Sequence, residues 1–214
     1  MRKAIWMTSE QGTAAWLKER CGCLTASRMA DAVAFLKGGK EAEARKKYKI
    51  ELIAERMTDT MVSRYVTDAM QWGIEQEPFA RARYEELTGE LVIQCGFALH
   101  SEIQYFGASP DGLVGEDGLV EIKCPTSETY TGWRIGGVVP EQHKYQMLAQ
   151  LAVTGRKWCD FFSFDPRVKV ESHQHFLRRF EPTEEDITAT EEAARKFLAE
   201  VDALFETVIS QEVA

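Results

Sequence analysis

The sequence predicts an α/β (α+β) fold, with a small central mixed β-sheet flanked by helices, a mainly helical N-terminal part and a C-terminal helix. Three observations carry this. Helical spacing punctuated by glycine dominates residues 1–90, short β-rich runs separated by turn residues mark 91–180, and residues 181–214 return to a helical apolar repeat under heavy acidic charge. A chain of 214 residues buries roughly 70% of its unfolded surface on folding, so the three blocks are expected to share one domain over 1–214.

Each element has its own signal. Thr13–Arg20, Thr25–Leu36, Glu41–Thr60 and Thr67–Thr88 carry helical spacing, with Gly22, Gly38-Gly39 and Gly89 as breaks. Leu91–Phe97, Tyr105–Asp111 and Leu119–Cys124 read as strands, with Gly115-Glu116-Asp117-Gly118 as a turn. A helix is expected at Glu141–Val153 and strands at Trp158–Phe164 and His173–Phe180. The last helix places Ile187, Ala194, Phe197, Leu198, Val201, Leu204, Phe205 and Val208 at helical spacing. Thr183 is its expected N-cap, with Glu184, Glu185 and Asp186 at the positive end of its dipole.

Composition narrows the class. No apolar run approaches the ~18 residues of a membrane span, and the start turns polar too soon for a signal peptide, so a cytoplasmic protein with no membrane partner is expected. Five cysteines, an odd number, fit free thiols in a reducing compartment. The net charge of −8 argues at face value against a polyanionic partner. Its distribution weakens that argument: residues 1–72 carry a net +4, residues 73–180 a net −4 and residues 181–214 a net −8. DNA binding is therefore not excluded, and the expected polarity is a basic helical region facing the duplex with an acidic tail helix pointing away.

The chemistry lies in Ser109-Pro110-Asp111-Gly112 and Glu121-Ile122-Lys123-Cys124-Pro125. On a strand Glu121 and Lys123 share a face and Ile122 opposes them. A hairpin centred between residues 116 and 117 would set Asp111 opposite Ile122, beside Glu121. Two acids and a lysine then meet at one strand edge, an oxygen-rich set suited to Mg²⁺ and to an attacking water that the lysine orients or deprotonates. This spacing is the PD-(D/E)xK nuclease signature. The bland alternative is a turn at Asp111-Gly112 and an exposed Glu121–Lys123 ion pair.

Neighbouring residues favour the chemical reading. Pro78 should start or kink a helix and set Glu77 beside exposed amides, which offers a third carboxylate. Gln146 and Gln150 stand one turn apart on a single helix face, aimed at a water or phosphate oxygen or simply lying on the surface. Trp133 and Arg134, in a glycine-flanked loop, are candidates for DNA contact, whereas the other tryptophans read as core. Arg45-Lys46-Lys47-x-Lys49 could meet phosphates or be a solvated face. Cys21-x-Cys23 and His173-x-His175 lack further ligands for a metal site.

From Trp16 to about Arg167 the chain resembles the phage lambda exonuclease family, also called YqaJ-like viral recombinases. The matching blocks are Trp16-Leu17-Lys18-Glu19-Arg20, Leu24-Thr25-Ala26-Ser27, Trp72-Gly73 with Glu77, Ser109-Pro110-Asp111-Gly112-Leu113 and Gly118-Leu119-Val120-Glu121-Ile122-Lys123-Cys124-Pro125. Arg134-Ile135-Gly136-Gly137, the Gln146/Gln150 helix and Phe164-Asp165-Pro166-Arg167 follow. The resemblance implies a PD-(D/E)xK core and a Mg²⁺-dependent exonuclease, with Mn²⁺ also possible and two ions per site. It implies processive degradation of the 5′-ended strand of linear double-stranded DNA, which leaves 3′ single strands for an annealing protein.

A homotrimeric ring encoded by a prophage and working in the bacterial cytoplasm is also implied. By position Asp111, Glu121 and the Ile122 carbonyl would hold metal, Glu77 would complete a second metal site, and Lys123 would activate water with help from Gln146. Arg20, Thr25, Ser27, Ser109 and Gln146 match a pocket for the 5′-phosphate. In this family an aromatic residue precedes the helix glutamines. Here His143 holds that place, which leaves Gln146 and Gln150 both open as the site glutamine. A non-processive endonuclease of the same superfamily and a catalytically silent DNA-end-binding module are the alternatives.

Overall fold

The computed structural model describes residues 4–62 and 66–211; the first three residues of the polar N-terminal stretch lie outside it. The N-terminal part begins with β1 (Ile5–Trp6), α1 (Ala14–Arg20) and β2 (Leu24–Thr25). A 3₁₀ turn at Ala26–Arg28 leads to α2 (Met29–Ala32), α3 (Glu43–Thr58) and α4 (Asp68–Thr88). Then come β3 (Val92–Ile93), β4 (Ala98–Leu99), β5 (Phe106–Ala108), β6 (Gly112–Val114), β7 (Gly118–Lys123), α5 (Ser127–Gly136) and α6 (Glu141–Thr154). The chain continues through β8 (Trp158–Phe164), a second 3₁₀ turn at Glu171–His173, β9 (His175–Phe180) and α7 (Glu184–Ile209).

Two mixed sheets replace the single sheet expected. One has strand order β1-β4-β5-β2 and the other β3-β6-β7-β8-β9. β7 and β8 are parallel, which requires a crossover, and α5 and α6 supply it. β7 is buried on both faces except at Lys123, as befits an inner strand. Its Val120 and Ile122 pack with Ala80 and Tyr84 of α4, whereas Leu119 belongs to the larger core shared by α6 and α7. A Cβ on Gly118 would lie 2.1 Å from ring carbons of Trp158, so only glycine admits this approach of β7 to β8.

Helix ends follow their caps. Thr13, Thr67 and Thr183 each accept from a first-turn amide, and Thr183 with Asp186 forms a capping box. The expected helix over Thr25–Leu36 shrinks to the 3₁₀ turn and four-residue α2, and Thr25 makes no side-chain cap bond. Pro78 neither starts nor ends α4; the helix runs through it. Trp133 and Arg134 sit on α5, not in a loop: Thr126 caps that helix and Gly137, at φ +68°, closes it.

The hairpin register also differs from expectation by one residue. Gly112 pairs with Val120 and Val114 with Gly118, a three-residue connection with Gly115 at φ +52°, so Asp111 runs toward Glu121 instead of Ile122. α7 buries Ile187, Ala194, Phe197, Leu198 and Val201, but Leu204 and Val208 stay exposed.

The basic and acidic helices are not separate from each other: α3 packs on α7 through ion pairs. Arg45 of α3 makes a two-pronged pair with Glu200 of α7 (2.7 and 3.0 Å), Lys49 joins it at 3.1 Å, and Arg56 meets Asp202 at 2.6 Å. Arg45 and Lys49 of the densest basic run face the acidic helix because burying Tyr48 and Leu52 with Phe197 turns that side of α3 toward it, whereas Lys46 and Lys47 stay exposed. All five cysteines are free. No helix among the described residues is long and apolar enough to cross a membrane.

Candidate active site

Ser109, Pro110 and Asp111 form the link between β5 and β6, which belong to different sheets. Asp111 Oδ2 accepts the Ile122 amide at 2.7 Å, which fixes its carboxylate across the start of the hairpin. Glu121 points to the α6 face and is wholly buried. Its Oε2 accepts from Gln150 Nε2 at 2.6 Å and its Oε1 lies against the Lys123 ammonium.

A cleft of about 370 Å³ opens at this end of β7, walled by Asp111, Ile122, Lys123 and Cys124, by Gly73, Ile74 and Glu77 of α4, and by Trp133 of α5. Glu121 stands behind that wall.

The electrostatics are those of crowded negative charge. Burial raises the Asp111 pKa well above the usual carboxylate range, and the charge of Glu121 raises it further, against the opposing pull of Lys123. Burial alone would lower the pKa of Lys123, but Glu121 and Asp111 outweigh it, so the ammonium is held charged. An ammonium held charged can orient a neighbouring group and offset negative charge.

The donor set suits a hard divalent cation: a buried and a half-buried carboxylate against one lysine, with Ile122 on the cleft wall. The third expected ligand, Glu77, lines the same cleft, with one oxygen engaged by a neighbour on its own helix. Glu77 Oε1 accepts from Arg81 at 2.5 Å, and no three carboxylate, imidazole or thiol groups stand together at ligand spacing among the described residues.

Gln150, not Gln146, reaches the site. Gln146 is half-buried and forms no side-chain hydrogen bond with the described residues, because one turn of helix carries it beyond the reach of Glu121. His143 stacks on Phe161 at 5.3 Å and meets Trp133 edge-on at 5.1 Å. Burial, with the charge of Lys123, lowers its pKa to about 4, so it is neutral. Arg134 donates to the carbonyls of His173 and His175 (3.0 and 2.8 Å), a structural use that ties α5 to β9.

The expected phosphate-pocket residues fall into two linked pairs. Trp16 Nε1 donates to Ser109 Oγ at 2.9 Å, and the Arg20 guanidinium lies 4.0 Å over the Trp16 ring. Arg20 Nε is buried and without an acceptor. Thr25 pairs in parallel with Gly107 on β5, and its hydroxyl lies 3.4 Å from that of Ser27.

Trp16 itself read as a core residue, yet it serves as a bracket. No local signal in the sequence marks Gln11: its amide donates to the carbonyls of Cys95 and Pro110, both at 2.9 Å.

A mixed sheet flanked by helices, with an aspartate beside an inner ExK strand, defines a PD-(D/E)xK-like core. A family model described as the YqaJ-like viral recombinase domain matches residues 15–157, and the chain belongs to that family. Among solved structures, the alkaline exonuclease LHK-Exo from Laribacter hongkongensis is 42% identical, with a TM-score of 0.84 over 92% of this chain and 96% of that one. LHK-Exo in complex with dAMP gives 42% identity and a TM-score of 0.85 over the same shares. A phage related exonuclease from Haemophilus somnus 129PT, 13% identical, shares the fold with a TM-score of 0.62 over 87% of this chain and 96% of that one. No curated protein sequence matches the chain.

Proposed function

We propose that this protein is a metal-dependent 5′-to-3′ exonuclease that processively degrades the 5′-ended strand of linear double-stranded DNA and leaves 3′ single strands for an annealing protein. The observation that carries this reading is the short distance in sequence between two functions: Asp111 of the metal set is two residues from Ser109, which Trp16 joins to Arg20, a half-buried cation whose buried Nε has no acceptor. A site that grips a terminal phosphate beside its hydrolytic centre acts on ends. LHK-Exo, 42% identical, is an alkaline exonuclease crystallised with dAMP, a deoxynucleoside monophosphate, which supports the same reading.

Asp111, Glu121, the Ile122 carbonyl and Glu77 would hold the divalent metal. Bound there, Mg²⁺, or Mn²⁺ in its place, supplies Lewis-acid polarisation of the phosphoryl group and a more acidic water, with two ions per site. The chain does the rest. Gln150 fixes the Glu121 carboxylate, and the Lys123 ammonium orients the attacking water and offsets charge building on the phosphoryl oxygens. Arg20, Thr25, Ser27 and Ser109 receive the 5′-phosphate, and Trp133 on the cleft wall meets the nucleotide being removed. A homotrimer around the duplex accounts for processivity, and the setting is a prophage-encoded recombination system in bacterial cytoplasm.

A linear duplex labelled separately at its 5′ and 3′ ends tests this. In the presence of Mg²⁺ the 5′ label should leave first as mononucleotide. Cleavage of a closed circular duplex, or loss of the 3′ label first, overturns the reading.

A further inference from the structure

Ser109, Pro110 and Asp111 lie in no strand, and the strands on either side belong to different sheets. No ladder of backbone hydrogen bonds therefore fixes this link, and its position depends on the side chains that reach it. Three contacts do so, on consecutive residues. Trp16 Nε1 donates to Ser109 Oγ, Gln11 Nε2 donates to the Pro110 carbonyl, and the Ile122 amide donates to Asp111. The first two come from one N-terminal segment.

That segment is itself pinned. Gln11 also donates to the Cys95 carbonyl, Met7 N bonds Phe97 O at 2.7 Å, Ser9 Oγ donates to Glu19 at 2.6 Å, and Thr13 caps α1 through the Trp16 amide. Gln11 is the sole side-chain amide donor to Pro110 O among the described residues; a weaker thiol contact from Cys95 at 3.5 Å is the other.

We propose that Gln11 and Trp16 are positioning residues that set Asp111 for metal binding, and that Trp16 fastens the metal segment to the Arg20 anion pocket through opposite parts of one side chain. The indole N–H holds Ser109 and the indole face supports the guanidinium. The two functions of Trp16 are thus separable by substitution. This rests on the reading of Asp111 as a metal ligand given above.

Mn²⁺ binding to the DNA-free full chain, followed by electron paramagnetic resonance, gives a readout apart from catalysis. Gln11→Met keeps the volume and removes both donors, and Trp16→Phe removes the N–H while keeping a ring under Arg20. Each should weaken Mn²⁺ binding about fivefold to tenfold, the scale of one displaced hydrogen bond, with the helical circular dichroism signal unchanged. Trp16→Phe should keep the preference for 5′-phosphorylated over 5′-hydroxyl ends, and Trp16→Leu should lose it.

Wild-type Mn²⁺ affinity in both Gln11→Met and Trp16→Phe overturns the proposal, as does equal end preference in Trp16→Phe and Trp16→Leu. If Gln11→Met misfolds, Trp16→Phe decides alone. Wild-type Mn²⁺ affinity in Asp111→Asn instead removes the metal-site reading, which separates the two failures.

Discussion

Gln150 Nε2 donates to Glu121 Oε2 at 2.6 Å, with both side chains wholly buried. This pairing makes the glutamine the orienting partner of the carboxylate proposed to hold metal, the kind of outer contact that commonly matters nearly as much as the ligand. Gln150→Leu should lower the rate of nucleotide release roughly tenfold to a hundredfold, whereas Gln146→Ala should change it little. Single-turnover digestion of a linear duplex ranks the two, and the reverse order would return Gln146 to the site.

Lys123 touches Glu121 Oε1 at the mouth of the cleft, and its charge is held by Glu121 and Asp111. Lys123→Ala should therefore cut hydrolysis about 10²–10³-fold, as for removal of one donor to developing charge. Duplex binding, read by gel shift in Ca²⁺, should persist. Loss of binding in parallel with activity would mean that the lysine holds DNA and does no chemistry.

Arg20 carries a buried Nε without an acceptor above the Trp16 ring. Arg20→Ala should reduce the ratio of rates on 5′-phosphorylated and 5′-hydroxyl ends roughly tenfold to a hundredfold, the scale of a charged hydrogen bond. An unchanged ratio would move the terminal phosphate elsewhere.

The ion cluster between α3 and α7 gives a pH dependence far from the active site. The hydrogen bond from Arg45 depresses the Glu200 pKa to about 2, with Lys49 adding to it against the cost of burial. A depressed carboxylate stabilises the fold above its ordinary pKa and ceases to as pH falls through the lowered one. Wild-type Tm should accordingly drop between about pH 4.5 and about pH 2 more steeply than that of Glu200→Gln. Parallel curves for the two proteins would show that the cluster contributes nothing.

Much of this architecture is legible in the sequence because local chemistry dictates it. Thr13, Thr67 and Thr183 mark helix starts by capping, and β7, β8 and β9 emerge from β-rich runs near their true limits. α5 is hidden because Gly132 and Gly136 depress helix propensity; its stability comes from burying Tyr130 and from the Thr126 cap. The hairpin register is off by one because the connection has three residues, and sequence alone does not separate that from a centre between residues 116 and 117.

At the site, Glu121 and Lys123 follow from strand alternation and Asp111 from the hairpin that precedes them, both of which are local. Gln11 is invisible for the opposite reason: its partners, Cys95 and Pro110, are 84 and 99 residues away. The choice of Gln150 over Gln146 likewise depends on how α6 lies across β7, a tertiary fact. Glu77 was placed near the site by its neighbourhood, and it lines the cleft, but its pairing with Arg81 lies in side-chain competition that no motif encodes.

The ion pairs of α3 with α7 bear on how the protein responds to salt. A cation that adds to DNA affinity does so by displacing counterions condensed on the phosphates, and each such contact steepens the fall of affinity with ionic strength. Arg45, Lys49 and Arg56 already hold carboxylates, so they displace none. The salt sensitivity of duplex binding therefore reports the cations that remain unmatched by α7, and a protein with 26 lysines and arginines should behave toward salt like one with fewer.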